Sequence, residues 1–198
     1  RKLVYPQDYV NKIICGDCLE VMKGIPDKAV DLVLTDPPYP DYHEELYSYN
    51  SDPIKYLDTF KCRQLVFWSA KEDFILDYTA IHIWDKKVGA GSQYERILER
   101  NGHKNFRVYS YYLINSTVAA NYTRDTFTGH PSQKPSELFR ILVIEFSIQG
   151  DIILDPFSCS GTLPMVCKEL GRKFIGIEIN PKYCEIAQRR LAQEYLFT

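Results

Sequence analysis

The four residues Asp36-Pro37-Pro38-Tyr39 follow directly on the apolar, β-branched run from Val30 to Thr35. Two consecutive prolines lack N–H groups and are locked near φ of about −65°, so the chain cannot continue a sheet there. It must turn, leaving carbonyl oxygens beside the Asp36 carboxylate and an aromatic ring one step further on. Two acceptors and a π-face suit a flat heterocycle with an exocyclic amino group: acceptors for its two N–H hydrogens, and a plate to lie against. A second cluster, Asp155-Pro156-Phe157-Ser158-Cys159-Ser160-Gly161-Thr162, sets a carboxylate at the end of an apolar strand, then a loop of small residues, then a helix start. Backbone N–H groups and a helix N-terminus would then face a ligand at the carboxyl edge of a sheet. Many strand-to-helix turns share that outline. Glu178 strengthens it by closing Ile175-Gly176-Ile177, 23 residues after Asp155, close to the spacing at which an acid meets ribose hydroxyls. The pair points to a nucleoside with a charged tail. A Walker-type phosphate cradle fits less well, because the loop has one glycine and no adjacent Lys-Ser/Thr pair.

These clusters need elements that end together at one edge. Strands are predicted at Lys12 to Cys15, Val30 to Thr35, Gln64 to Trp68, Ala80 to Trp84, within the aromatic run Phe106 to Leu113, at Ile152 to Leu154 and at Lys173 to Ile177. Helices are predicted at Leu19 to Lys23, from Asp52-Pro53 to about Lys61, from a Ser69-x-x-Glu72 capping box to about Tyr78, from Pro135 to about Ser147, at Thr162 to Leu170, and from Pro181 to about Leu196. Strands separated by helices pair in parallel, so the expected class is α/β, a Rossmann-like, mostly parallel sheet with helices on both faces.

The chain has 198 residues, 24 Lys+Arg and 26 Asp+Glu for a net charge of −2, which fits one domain, 1–198, with a self-sufficient core. The balance is uneven along it. Pro26 to Ala80 holds eleven acids and five bases, whereas Lys86 to Arg140 holds nine bases and four acids. That second stretch is the natural face for a polyanion, with 86–128 as the candidate recognition segment. No apolar run reaches the ~18 residues of a membrane span, and Arg1 to Pro6 shows no signal-peptide core, so a cytoplasmic protein without a membrane partner is expected. The six cysteines, including the lone Cys15-x-x-Cys18 pair, read as reduced thiols rather than as a metal site.

Read together, the motifs resemble the amino-methylating DNA methyltransferases that use S-adenosylmethionine. The resemblance rests on Cys15-Gly16-Asp17-Cys18-Leu19-Glu20, Asp31 to Tyr39, His130-Pro131-Ser132-Gln133-Lys134-Pro135, Asp155 to Thr162, and Ile175 to Asn180 followed by Tyr183. These pieces span nearly the whole chain in one order. Because the Asp-Pro-Pro-Tyr half comes before the cofactor loop, the order is similar to the permuted β class; an initial Asp there usually accompanies adenine N6, and Ser cytosine N4. Cytosine N4, an RNA base, or a non-catalytic nucleic-acid-binding subunit of the same fold remain as alternatives.

The resemblance implies roles residue by residue. S-adenosyl-L-methionine would be held by Asp17 at its adenine end, by Glu178 and the neighbouring Asn180 around the ribose, and at its methionine end by Asp155, Phe157, Ser158, Cys159, Ser160, Gly161 and Thr162 with Ser132, Gln133 and Lys134. Lys134 would suit the methionine carboxylate. Asp36 and the Pro37 carbonyl would accept the amino hydrogens, with Pro38 fixing the turn and Tyr39 stacking on a base flipped out of double-stranded DNA. Direct transfer is implied, with no covalent enzyme intermediate and no metal. Lys86, Lys87, Arg96, Arg100, Lys104, Arg107 and Arg124 are the candidate DNA contacts. Cys159 stands where the family usually has glycine; if φ is positive there, its Cβ costs on the order of 1 to 2 kcal/mol. With only 90 residues between Tyr39 and His130, target recognition is expected to be short, or completed by a second subunit or homodimer.

Overall fold

Strands of three to seven residues, most of them apolar runs closed by turn-forming residues, assemble here into one eight-stranded sheet. The computed structural model describes residues 3–26, 28–40, 51–85, 94–102, 105, 107–109 and 133–193. The strands are β1 (Lys12–Cys15), β2 (Leu32–Thr35), β3 (Arg63–Trp68), β4 (Ala80–Asp85), β5 (Tyr94–Arg100), β6 (Arg107–Tyr109), β7 (Ile152–Asp155) and β8 (Lys173–Glu178). Their order across the sheet is β1-β8-β7-β2-β3-β5-β4-β6. All neighbours pair in parallel except β5, which runs antiparallel to both β3 and β4. The expected α/β class holds.

The central strands are buried on both faces, which is why their sequences read as unbroken apolar runs. In β2, Leu32 and Leu34 join one core layer and Val33 the other; in β3, Leu65 and Phe67 oppose Val66 in the same way. Helices α3 (Ser136–Phe146), α4 (Thr162–Glu169) and α5 (Pro181–Ala192) supply the first layer with Leu138, Phe139, Leu142, Val166 and Ala187. The other contains Met22 from α1 (Cys18–Met22) and Leu57, which opens a 3₁₀ turn (Leu57–Thr59) after α2 (Asp52–Tyr56). Among the described residues no helix is long and apolar enough to cross a membrane.

Two elements differ from their prediction. Residues 69–79 form no helix. The Ser69 and Glu72 carbonyls, which a helix would need for its own ladder, accept hydrogen bonds from the Arg96 guanidinium, and Glu72 also accepts from the Trp68 indole. Local capping preference is thus overridden by two long side chains. The other is β5, which falls inside a stretch whose sequence reads as irregular. Its charged residues, Glu95, Arg96, Glu99 and Arg100, mask the strand pattern. The strand expected over Phe106 to Leu113 is β6, described only for Arg107–Tyr109.

Adjacent β2 and β7 are where the chain departs outward in both directions, to β3 on one side and to β8 on the other. Such a switch point opens a crevice at the carboxyl ends of the strands. Asp36 and Asp155 both lie there.

Candidate active site

One wall of the crevice is the turn after β2. Asp36 accepts a hydrogen bond from the Tyr39 hydroxyl at 2.8 Å on Oδ1 and an ion-paired one from Lys134 Nζ at 2.7 Å on Oδ2. Lys134 also pairs with Glu95 Oε2 at 3.1 Å, and the Tyr39 hydroxyl lies 3.4 Å from that same oxygen. Glu95 reaches the site because β5 is antiparallel: its first residues arrive at the edge where the parallel strands end. Burial pushes the Asp36 carboxyl upward, Glu95 adds to that, and Lys134 opposes it. Burial works against the Lys134 charge, but Asp36 and Glu95 outweigh it and hold the ammonium protonated. Tyr39 is not an open plate in this structure. It is 8% exposed, with the Trp68 ring edge-on at 5.5 Å and the Lys134 ammonium 5.9 Å from its ring centre.

The opposite wall is built largely from backbone. Glu178, at the end of β8, accepts from Cys159 N at 2.9 Å on Oε2 and from Asn180 N at 2.8 Å on Oε1. Burial raises its carboxyl above the ordinary value, against the pull of those N–H groups. Asp155, at the end of β7, accepts from Thr35 Oγ1 at 2.8 Å and Phe157 N at 3.2 Å, and burial pushes it up to about 7. The Thr35 bond ties the two strand ends together across the switch point.

Between these carboxylates the loop bends through left-handed backbone at Cys159, φ 47°, and Gly161, φ 79°. A Cβ on Gly161 would stand 2.7 Å from the Ala187 Cβ, so only glycine lets the loop settle on α5. The positive φ that would disfavour a side chain at Cys159 is therefore present. Burial and Glu178 hold the Cys159 thiol well above its usual range, so the proton stays on sulfur. A small cleft runs between the Asp36 turn and the 157–162 loop, lined among others by Asp36, Lys134, Asp155, Phe157, Ser158 and Thr162.

The structure thus brings Asp36, Tyr39, Lys134, Asp155, the 157–162 loop and Glu178 to one edge, with Pro37 and Pro38 forming the turn. Gly16, hydrogen-bonded to the Glu178 carbonyl at 2.9 Å, brings Asp17 alongside; the Asp17 carboxylate caps α1, and Asn180 caps α5. Lys134, expected at the methionine end, pairs with the two carboxylates of the acceptor side and lines the cleft together with Ser158 and Thr162. Gln133 is held by the Ser160 hydroxyl at 3.2 Å. Two of the expected DNA contacts are corrected. Arg100 is buried, its guanidinium bound to the Asp77 carbonyl, Gln64 Oε1 and Asp58 Oδ1, and Arg96 is spent on the 69–72 carbonyls. Arg107 opens β6 and is exposed. Ser132, Lys86, Lys87, Lys104 and Arg124 lie outside the described residues.

Sequence reasoning missed three contributors. Glu95 belongs to no motif, Thr35 stands at the end of an apolar run, and Arg190 falls inside the last predicted helix with nothing to single it out. Arg190 is in fact buried and donates to the Ser160 carbonyl at 2.8 Å and to Thr162 Oγ1 at 3.1 Å, holding the loop from below. A cation at an inward position of the α5 periodicity, beside Cys184 and Ala187, is the signal that could have found it.

A family model described as DNA methylase matches residues 62–189. The chain belongs to the DNA methylase family. Relatives of this methylase include the DNA adenine methyltransferase YhdJ of Escherichia coli, 29% identical over 244 residues that cover 90% of this chain and 82% of YhdJ. The type II methyltransferase M.HpaI of Haemophilus parainfluenzae is 27% identical over 237 residues, covering 93% of this chain and 75% of that protein. Among solved structures, TTHA0409 of Thermus thermophilus, complexed with S-adenosyl-L-methionine, superposes with a TM-score of 0.63 at 24% identity, covering 94% of this methylase and 97% of that chain. The cytosine-N4-specific PvuII DNA methyltransferase superposes at 0.59 with 14% identity, covering 96% and 91%. At such identities the structures speak for a shared fold.

Proposed function

We infer that this DNA methylase moves a methyl group from S-adenosyl-L-methionine to the N6 amino group of adenine in double-stranded DNA. The observation that carries this is the meeting of Asp36 with Asp155 and the 157–162 loop in one cleft at the switch point, with Glu178 bonded to that loop through Cys159 N. The residues present fit the cofactor: a carboxylate at the end of β8 for ribose hydroxyls, a left-handed loop too close to α5 for a side chain at Gly161, and polar groups around the cleft for a methionine end. Bound there, the cofactor supplies an electrophilic methyl group on a sulfonium sulfur.

The chain's own residues do the rest. An aromatic amino nitrogen is a weak nucleophile because its lone pair is delocalised into the ring. Asp36 and the Pro37 carbonyl, by accepting its two N–H hydrogens, favour the pyramidal geometry that localises that pair and stabilise the positive charge growing on nitrogen. Asp36 then takes up the proton that the nitrogen sheds. Extruding the base from the duplex costs a few kcal/mol, offset by the new hydrogen bonds and by stacking on Tyr39, whose ring must first be uncovered from the buried position it holds here. With Arg96 and Arg100 committed inside the fold, phosphate contacts fall to Lys86, Lys87, Lys104, Arg107 and Arg124, and a short target or a second subunit completes the grip. The working compartment is the cytoplasm.

The test is expression of the wild type and Asp36→Ala in a host without methylation, with modified bases read by mass spectrometry. N6-methyladenine from the wild type, reduced at least about 100-fold in the variant, is the expected result. Cofactor binding without any methylated adenine would overturn it. Duplex and RNA oligonucleotides carrying only adenine or only cytosine amino groups separate this reading from cytosine N4 and RNA.

A further inference from the structure

Asp36 would have a full ion-pair partner in Lys134 alone, at 2.7 Å. Glu95 Oε2 is 3.1 Å from Lys134 Nζ, and the side chains of Asp36, Lys134 and Glu95 are only 17%, 9% and 13% exposed. Removing two like charges from water to share one cation is costly. Exposed ion pairs contribute little, but these three charges are screened weakly.

The charge balance shows what the arrangement achieves. Asp36 and Lys134 by themselves are neutral, and an ammonium seated on Asp36 draws electron density from the oxygens that must accept N–H hydrogens. With Glu95 the trio carries one net negative charge. The Tyr39 hydroxyl, 2.8 Å from Asp36 and 3.4 Å from Glu95, spans the two carboxylates. That surplus charge lies beside the position where the amino nitrogen becomes positive.

We propose that Glu95 is a positioning residue of the amino-acceptor site, sharing Lys134 with Asp36 so that the ammonium is not Asp36's alone and the Asp36 lone pairs stay basic and available to the target amino group. This deepens the adenine-N6 reading and rests on it. Glu95 touches no reacting atom. It acts through Lys134, which keeps a carboxylate partner while Asp36 turns its lone pairs to the base. The described groups that face Asp36 are Lys134, Glu95 and Tyr39, with Asp155 across the switch point.

The experiment compares wild type, Glu95→Gln, Glu95→Asp and Asp36→Asn in the full chain. At saturating cofactor and an adenine-bearing duplex, Glu95→Gln is expected to lower kcat about 10- to 100-fold, with cofactor Kd by calorimetry within about threefold of wild type. A second readout needs no turnover: the Asp36 carboxyl is followed by carbon-13 NMR against pH in the cofactor-free chain, with Asp36→Asn assigning its signal. Glu95 repels the ionised form of Asp36, so its removal moves the Asp36 titration to lower pH, further in Glu95→Gln than in Glu95→Asp, whereas rehydration of a loosened site would lower it alike in both. Glu95→Asp keeps the charge one methylene further back and moves both readouts part of the way. It carries the test if Glu95→Gln fails to fold. Wild-type kcat and an unmoved Asp36 titration in the folded variant overturn the proposal. A wild type that binds cofactor and duplex yet methylates no adenine sinks the functional reading instead, and the titration still reports whether Glu95 acts on Asp36.

Discussion

Across the cleft, Glu178 is held by backbone N–H groups from Asn180, two residues on, and Cys159, 19 residues back, whereas Asp36 is held by Tyr39, three residues on, and by Lys134, 98 residues on. The wall proposed for the cofactor depends on a loop's shape, and apart from Phe157 its side chains are small. The acceptor wall depends on charged side chains that only meet when β5 and the start of α3 are both in place. Backbone amides present fixed dipoles at little entropic cost; long charged side chains must be ordered, desolvated and balanced against one another. A local fault on the first wall should therefore weaken binding, and one on the second should weaken chemistry.

Glu178→Ala probes that division most strongly. Two N–H groups lose a charged acceptor and the ribose loses its carboxylate, so cofactor Kd by calorimetry is expected to rise about 100-fold, while kcat at saturation stays within a few-fold. Asp36→Ala should do the reverse, and equal losses in both parameters for both variants would erase the distinction. Asp155→Asn tests the bridge between the walls. Because the folded carboxyl sits at about 7 against an ordinary 3.8, the folded chain binds the additional proton between those values, and stability falls as pH rises through that window. Urea denaturation should show the wild type losing about 2 to 4 kcal/mol more than Asp155→Asn between about pH 4 and pH 8; parallel curves would refute the assignment. The smallest effect belongs to Cys159→Gly. With φ at 47°, removing the Cβ should add about 1 kcal/mol of stability and tighten cofactor binding by up to about tenfold, read by thermal melting and calorimetry. A weaker binder would mean that the thiol contributes more than its backbone strain costs.

Legibility in the sequence followed the range of the forces involved. The buried strands β2, β3, β7 and β8 were readable because a strand covered on both faces must be apolar throughout. The Asp36 turn and the Asp155–Thr162 loop were readable because proline, glycine and small residues impose their geometry within a few positions. The predicted helix over 69–78 failed because a capping box is worth about 1 kcal/mol, less than the hydrogen bonds Arg96 and Trp68 bring from outside the segment. Arg96 and Arg100 were misread for a related reason: a count of bases does not say which way a strand residue points, and in β5 these two point into polar networks.

The sequence by itself determined the chemistry available to this methylase, since an acid before two prolines and an acid closing each of two neighbouring strands have few other uses. The tertiary structure decided how those acids are charged. Desolvation and proximity act over a few ångströms regardless of chain separation, so Glu95 could be assigned to Asp36, Arg190 to the 157–162 loop, and Lys134 to the acceptor wall only once the antiparallel strand and the last helix had been folded against the site.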